Sequence, residues 1–422
     1  MFEVFVAFIA LSSLFSFFNA RWLRLPDTIG VMLLALLASA GIGLLGLVDE
    51  VRFRQICSLV DQVDFRTLLF DFLLSFLLFA GSIHVDVHRL IQQRGPVLIY
   101  ASLGVLFSTF LIGALFYGLS TLLGLEIDLI YCLVFGALIS PTDPIAVLAL
   151  LQKAGAPKNL EIKIVGESLF NDGVGIVVFL SLSGIASMGG EIELSHIALE
   201  FVHEAFGGLL LGGLLGWIGI RLFKQIHSAP VIGVHFSIAL VMGGYYLASE
   251  LLVSGALAMV VLGLMLGNHL HTACKSPEVI SHMNVFWKIL DDILNALLFV
   301  LIGLEVIQLE FQTLNLIAGL ASIVLVLFGR YLSMWMSNIF LRSDHRSQKE
   351  ELSILTWAGL RGGISIALAL SLPEGPFRES LLFITYCVVV FSILVQGLSV
   401  GALVKKLLPP TNTDQNQNTL NS

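Results

Sequence analysis

The chain has 422 residues, 57% of them hydrophobic and only 12% charged, against roughly 45–50% and about 25% in an ordinary soluble domain. Together with a mean hydropathy of +0.94, this excludes a soluble globular protein, and long apolar runs in place of short alternating segments exclude a β-barrel. The formal net charge of −8 says little about partners, because most of the charge lies between the runs.

The sequence therefore reads as an all-α polytopic membrane protein with about thirteen transmembrane helices. They are predicted at roughly 3–20, 28–47, 67–85, 95–122, 128–151, 160–186, 196–223, 230–249, 252–269, 284–306, 314–341, 351–372 and 379–404. The first run has neither a basic leader nor a small-residue cleavage site, so it is expected to be a retained span. Connections are short and no soluble domain is expected. Residues 411–422 are rich in Asn, Gln and Thr and are expected to form a disordered polar tail.

Span five carries Ser140-Pro141-Thr142-Asp143-Pro144. Pro141 and Pro144 break a helix at a depth where lipid cannot satisfy the freed backbone groups. Span six carries Glu167-Ser168-Leu169-Phe170-Asn171-Asp172, although a carboxylate at the bilayer centre costs roughly 2.5–3.5 kcal/mol on insertion scales. Helical spacing sets Ser168 and Asp172 on one face and Glu167 and Asn171 on the adjoining one. Facing them, span five offers the Thr142 hydroxyl, the Asp143 carboxylate and carbonyls released by the prolines. These oxygens suit a hard, small cation such as Na⁺ or Li⁺, and no Cys/His cluster offers a transition-metal site. The predicted cation and proton site comprises Asp172, Ser168, Thr142, Asp143, Asn171 and Glu167, with Na⁺ at Asp172, Ser168 and Thr142. Asp172 is the candidate carrier. An ionised, unpartnered Asp172 is expensive there, and either Na⁺ or a proton neutralises it. Competition of the two for one carboxylate predicts obligate exchange and pH dependence. Asn171 stands where a second acid could have been, which favours electroneutral one-for-one exchange.

On span seven, Gly208, Gly212 and Gly216 recur every fourth residue, a spacing for close helix packing either within the chain or in a dimer. Asp291, Asp292 and Asn295 near the start of span ten read either as a charged vestibule or as a solvated helix start. Arg330, inside span eleven, is predicted to form an intramembrane ion pair with Glu167 that holds the bundle together. Span twelve contains Gly359-Leu360-Arg361-Gly362-Gly363, a second weakened helix, where Arg361 is placed to offset carboxylates or helix ends. Spans one to six and eight to thirteen can be paired as inverted repeats, which matches the break in span five with that in span twelve.

Cys57, Cys132, Cys274 and Cys387 lie too far apart in sequence for a disulfide framework or a zinc motif. Sixteen Lys and Arg residues, including Arg89, Lys153, Lys158, Lys288 and Lys405, fall in one set of alternate connections, and only Arg52, Arg54, Arg66 and Arg378 fall in the other. The first set is expected to be cytoplasmic, with the N-terminus outside and the C-terminus inside.

Ser140 to Pro144, with Gly166-Glu167-Ser168-Leu169-Phe170-Asn171-Asp172-Gly173, resembles the paired signatures of sodium–proton antiporters of the NhaP type, which are related to the eukaryotic sodium–proton exchangers. Ser254 to Ala258, Asn295 to Glu305, Arg330-Tyr331 and Leu360 to Gly363 resemble the family's later motifs in the same order. The resemblance implies a homodimer in the cell membrane that works in sodium and pH homeostasis. It also implies a core bundle at about 95–186 and 314–404, a dimerisation domain at about 1–94 and 187–313, and unwound crossing helices. It makes Asp172 the ion-binding aspartate, sets Thr142, Ser168 and Glu167 in or beside its shell, gives Asn171 a supporting position and pairs Glu167 with Arg330. No cofactor is expected beyond the transported ions, and neither is a nucleic-acid partner. Many relatives carry a long cytoplasmic tail, so pH sensing is expected within the membrane domain here.

A K⁺/H⁺ antiporter of the same fold is the alternative, since sequence does not fix a cavity radius. An intramembrane hydrolase is disfavoured, because Ser168 has no membrane histidine beside it and no Gly-x-Ser-x-Gly elbow around it. A channel would need an open polar pore or a filter loop.

Overall fold

The computed structural model describes residues 2–46, 48–60, 73–143, 145–187, 194–226, 229–273, 276–309, 311–341 and 348–408. Pro144 and the 411–422 tail lie outside the described residues. The described residues are mostly helical and contain no strand. In chain order the helices are α1 (Phe2–Phe18), α2 (Asp27–Gly46), α3 (Glu50–Val60), α4 (Leu74–Ile83), α5 (Val87–Gln92), α6 (Arg94–Leu123), α7 (Leu129–Leu138), α8 (Ile145–Ala154) and α9 (Lys158–Ser187). They continue with α10 (Leu194–Phe223), α11 (Pro230–Glu250), α12 (Gly255–Ala273), α13 (Pro277–Glu305), α14 (Thr313–Ile339), α15 (Gln348–Ala358), α16 (Gly363–Leu370) and α17 (Arg378–Leu407).

Eight of these segments are long and apolar enough to cross a membrane unaided, and α15 with α16 forms a ninth that bends by 51°. Three shorter apolar helices, Leu74–Ile83, Leu129–Leu138 and Gly255–Leu270, accompany them. The 29-residue α13 carries Lys288, Asp291 and Asp292 near its middle, so composition alone does not mark it as a span. The run predicted at 128–151 is two helices, α7 and α8, and α3 and α5 lie between predicted spans. Both of these extra helices mix charges with apolar residues, which hides them from a search for continuous hydrophobicity.

Local sequence sets the ends. Gly124 adopts φ 73°, and the Leu125 N–H closes back on the Ser120 carbonyl at 2.9 Å, a left-handed stop for α6. Pro230 and Pro277 open α11 and α13, where the missing N–H has no cost.

Two packing groups result. α6, α7, α9, α14, the α15–α16 pair and α17 pack on one another, while α1, α2, α4 and α10 to α13 form the second group. The α10 glycines face α12 of the same chain. A Cβ on Gly208 would lie 2.5 Å from the Ser254 carbonyl oxygen, and one on Gly212 would lie 2.5 Å from that of Ala258. Their fourth-residue spacing is thus an internal seam. An equally close crossing joins α6 to α7, where a Cβ on Gly136 would stand 2.2 Å from the Thr109 carbonyl oxygen.

Because backbone cannot move aside as a side chain can, Gly136→Ala should force α6 and α7 apart and destabilise the fold by roughly 1–3 kcal/mol. Gly118, on α6 with nothing within 4 Å of an added Cβ, is the control. Gly118→Ala should be neutral or stabilising through helix propensity. Thermal unfolding of the detergent-purified proteins distinguishes the two.

Candidate ion-binding site

The site forms where the two interrupted spans meet. Beyond α7, residues 139–143 leave helical geometry, as a proline without an N–H and its restricted predecessor require. Beyond α15, Gly359 to Gly362 unwind, and Gly362 is extended at φ −116°, ψ −158°. Neither glycine has room for a side chain. A Cβ on Gly359 would fall 2.8 Å from Arg330 Nε, and one on Gly362 would fall 2.6 Å from the Asp143 Cβ.

The crossing is held by hydrogen bonds between the two segments. The Asp143 N–H donates to the Leu360 carbonyl at 2.8 Å. Arg361 Nη1 donates to the carbonyls of Ser140 at 2.6 Å and Pro141 at 3.2 Å. The fully buried guanidinium thus caps the C-terminal end of α7, where the helix dipole is negative. Arg361 is paired with backbone carbonyls freed by the break. Its own N–H donates to Ser392 Oγ at 2.8 Å, and Gln396 Nε2 donates to the Trp357 carbonyl at 3.1 Å. Ser392 and Gln396 bound a π-helical turn of α17, a local widening frequent at functional sites.

α9 presses its polar stripe against this crossing. Asn171 uses both ends of its amide: Oδ1 accepts from the Thr142 N–H at 3.3 Å, and Nδ2 donates to Thr142 Oγ1 at 2.8 Å and to Glu167 Oε1 at 3.0 Å. Ser168 Oγ donates to the Thr142 carbonyl and accepts from Thr142 Oγ1 at 3.3 Å. Glu167 receives a two-pronged bond from Arg330, Nη1 to Oε1 at 2.7 Å and Nη2 to Oε2 at 2.8 Å. Both partners are almost wholly buried, a setting in which a bidentate, charge-assisted pair is strong.

Asp172 is different. It is only 5% exposed, yet its Oδ1 has no hydrogen-bond partner among the described residues. It lines a cavity of about 440 Å³ together with Thr142 and Asp143. α4, α8 and α13 supply the other walls, so the cavity lies between the two packing groups. His84, Gln152, Lys288 and Asp292 are exposed and mark its mouth, on the face that also carries Arg89, Lys153 and Lys158.

The structure therefore divides the predicted residues. Thr142, Asp143, Asp172 and Pro141 line the cavity, whereas Ser168, Asn171, Glu167 and Arg330 stand behind that wall and fix Thr142 in place. Asp291 and Asn295 are cavity residues too, joined through Asn295 Nδ2 and Asp291 Oδ1 at 3.0 Å. Sequence reading passed over His84, Gln152 and Ser365. Ser365 left one trace, a lone hydroxyl just beyond the Gly362-Gly363 break in an otherwise apolar run. Such a cavity offers carboxylate and hydroxyl oxygens to a hard monovalent cation and the Asp172 carboxylate to a proton.

Residues 6–406 match the family model described as "Sodium/hydrogen exchanger, transmembrane". The chain is 45% identical over 415 residues to the "Na(+)/H(+) antiporter NhaP" of Pseudomonas aeruginosa, covering 96% of this chain and 97% of that one. It is 33% identical to the "Na(+)/H(+) antiporter NhaH" of Halobacillus dabanensis, over 92% and 93% of the two chains. The fold is similar to that of the sodium proton antiporter MjNhaP1 from Methanocaldococcus jannaschii, with a TM-score of 0.74 at 19% identity, covering 96% of this chain and 97% of that one.

Removing one partner of a buried pair strands the other charge, so Glu167→Ala should cost about 3–5 kcal/mol of stability. Replacing Glu167 by Leu and Arg330 by Met together should recover part of that loss. Thermal unfolding of the three proteins beside wild type checks the coupling, which no recovery would disprove.

Proposed function

The chain belongs to the sodium/hydrogen exchanger family of transmembrane proteins, and we propose that it exchanges Na⁺ or Li⁺ for protons across the cell membrane by competition of the two for Asp172. One observation carries this reading: a buried carboxylate with an unbonded oxygen, at the inner end of a cavity that reaches one face. Left empty and ionised, Asp172 is expensive at that depth. With a cation or a proton bound it is neutral, and only the neutral forms pass between the two sides. Each cation moved one way then requires a proton moved the other. The relatives' names specify Na⁺, and nothing among them favours K⁺.

Thr142 presents its oxygens to the ion, while Ser168 and Asn171 hold Thr142 in position and keep its carbonyl and hydroxyl from turning away. Ser168 stands beside the shell through its bonds to Thr142. Asp143 adds negative potential at the cavity wall. Glu167 and Arg330 neutralise each other and brace the crossing. With Asn171 amidic, a single carboxylate turns over per cycle, so exchange is one for one and electroneutral.

The basic face is cytoplasmic, which sets the N-terminus outside and gives a cavity open inward. Residues 95–186 and 314–404 form the moving core, and residues 1–94 and 187–313 form the scaffold through which two copies associate. The position of the cavity between the two packing groups supports that division.

In proteoliposomes with an acidic lumen, external Na⁺ and Li⁺ should release protons, and K⁺ should do so far less. Asp172→Asn should abolish the signal while the protein still inserts and elutes as wild type does, and retained exchange would remove Asp172 from the mechanism. An imposed membrane potential should leave the wild-type rate unchanged, and a rate that tracked it would argue for a charge-moving cycle.

A further inference from the structure

Hydroxyls within helices ordinarily donate to a carbonyl one turn earlier, as those of Ser39 to Ala35, Ser181 to Val177 and Thr385 to Leu381 do here. Ser365 does not. It is the third residue of α16, and the residues one turn before it, Arg361 and Gly362, are unwound. Its Oγ has no partner among the described residues although the residue is only 1% exposed. Ser365 also lines the cavity that Asp172 lines. A buried, unmade hydrogen bond is a net penalty, so alanine would suit this position better if the hydroxyl had only packing to do. Ser168 contrasts with it: its hydroxyl is engaged with Thr142 and stands off the cavity wall.

The electrostatics fit a cation. α16 begins at Gly363, and its N-terminal dipole would repel positive charge. Asp143 lies against that end, because a Cβ on Gly362 would come within 2.7 Å of Asp143 Oδ2. The acid offsets the dipole and leaves the serine lone pairs available. We propose that Ser365 Oγ supplies a further oxygen to the transported alkali cation, contributed by the second interrupted span across the cavity from Asp172. The proposal rests on the antiport reading and extends its ion site to the C-terminal half of the chain.

The test compares full-length wild type, Ser365→Ala and Ser337→Ala. Ser337 is another buried serine without a hydroxyl partner among the described residues, on α14 and away from the cavity. Thermal unfolding in detergent is followed as NaCl replaces choline chloride at constant ionic strength, and Na⁺-dependent proton release is measured in proteoliposomes. Ser365→Ala should unfold no earlier than wild type without Na⁺. Its half-effective Na⁺ concentration and its KM for Na⁺ should rise about five- to tenfold, or about 1.0–1.4 kcal/mol, with the maximal rate little changed. Ser337→Ala should shift neither. If Ser365→Ala keeps both values while wild type exchanges Na⁺ for protons, the Ser365 assignment is overturned and the antiport reading stands. A Ser365→Ala protein that unfolds early without Na⁺ also overturns it, since the hydroxyl is then structural. A wild type that does not exchange takes down both.

Discussion

Where a transmembrane helix is broken, its loose N–H and C=O groups must find partners inside the protein, because the surrounding hydrocarbon offers none. This molecule breaks two helices at one level and lets each repair the other. Leu360 accepts from Asp143, and Arg361 reaches back to Ser140 and Pro141. What neither segment can satisfy is taken up by α9 and α17, through Asn171, Ser168 and Ser392. Some buried polar atoms at the crossing have no partner among the described residues: Arg330 Nε, Arg361 Nη2, Asp172 Oδ1 and Ser365 Oγ. Of these residues, Asp172 and Ser365 line the same cavity.

The charges divide in the same way. Glu167, Arg330 and Arg361 are buried and engaged, two with each other and one with a helix end. They are fixed features that keep the crossing intact and take nothing from the cavity. Asp172, four residues beyond Ser168 on the same helix, keeps a carboxylate oxygen that none of these bonds takes up. One turn of α9 thus carries both a permanent brace and a carboxylate available for exchange, distinguished by the partners each meets rather than by residue type.

Much of this was legible in the sequence, for physical reasons. Membrane spans follow from uninterrupted apolarity, the break in span five from two prolines, and the polar stripe of α9 from its helical repeat. Glu167 and Arg330 were legible as partners because two opposite charges in neighbouring apolar spans have few other ways to lower their energy. The partners of Arg361 were hidden, because a backbone carbonyl has no signature in sequence. So were the orientation of the α10 glycines and the identity of the cavity walls, since both depend on how distant helices are laid side by side. α3 and α5 escaped notice because their mixed composition resembles that of a loop. Ser168 reads from helical spacing as facing the ion together with Thr142, and its direct bonds to the Thr142 carbonyl and hydroxyl are a detail that spacing alone does not give.

The bond between Asp143 and Leu360, with the Arg361 clasp beside it, also bears on discrimination among ions. A cage pinned from both sides can neither contract around a smaller guest nor swell for a larger one. On the proposed antiport reading, this bracing would hold the aperture near one size, and preference within the alkali series would follow from the mismatch between that aperture and each ionic radius, as with a rigid macrocycle rather than a pliable chelator.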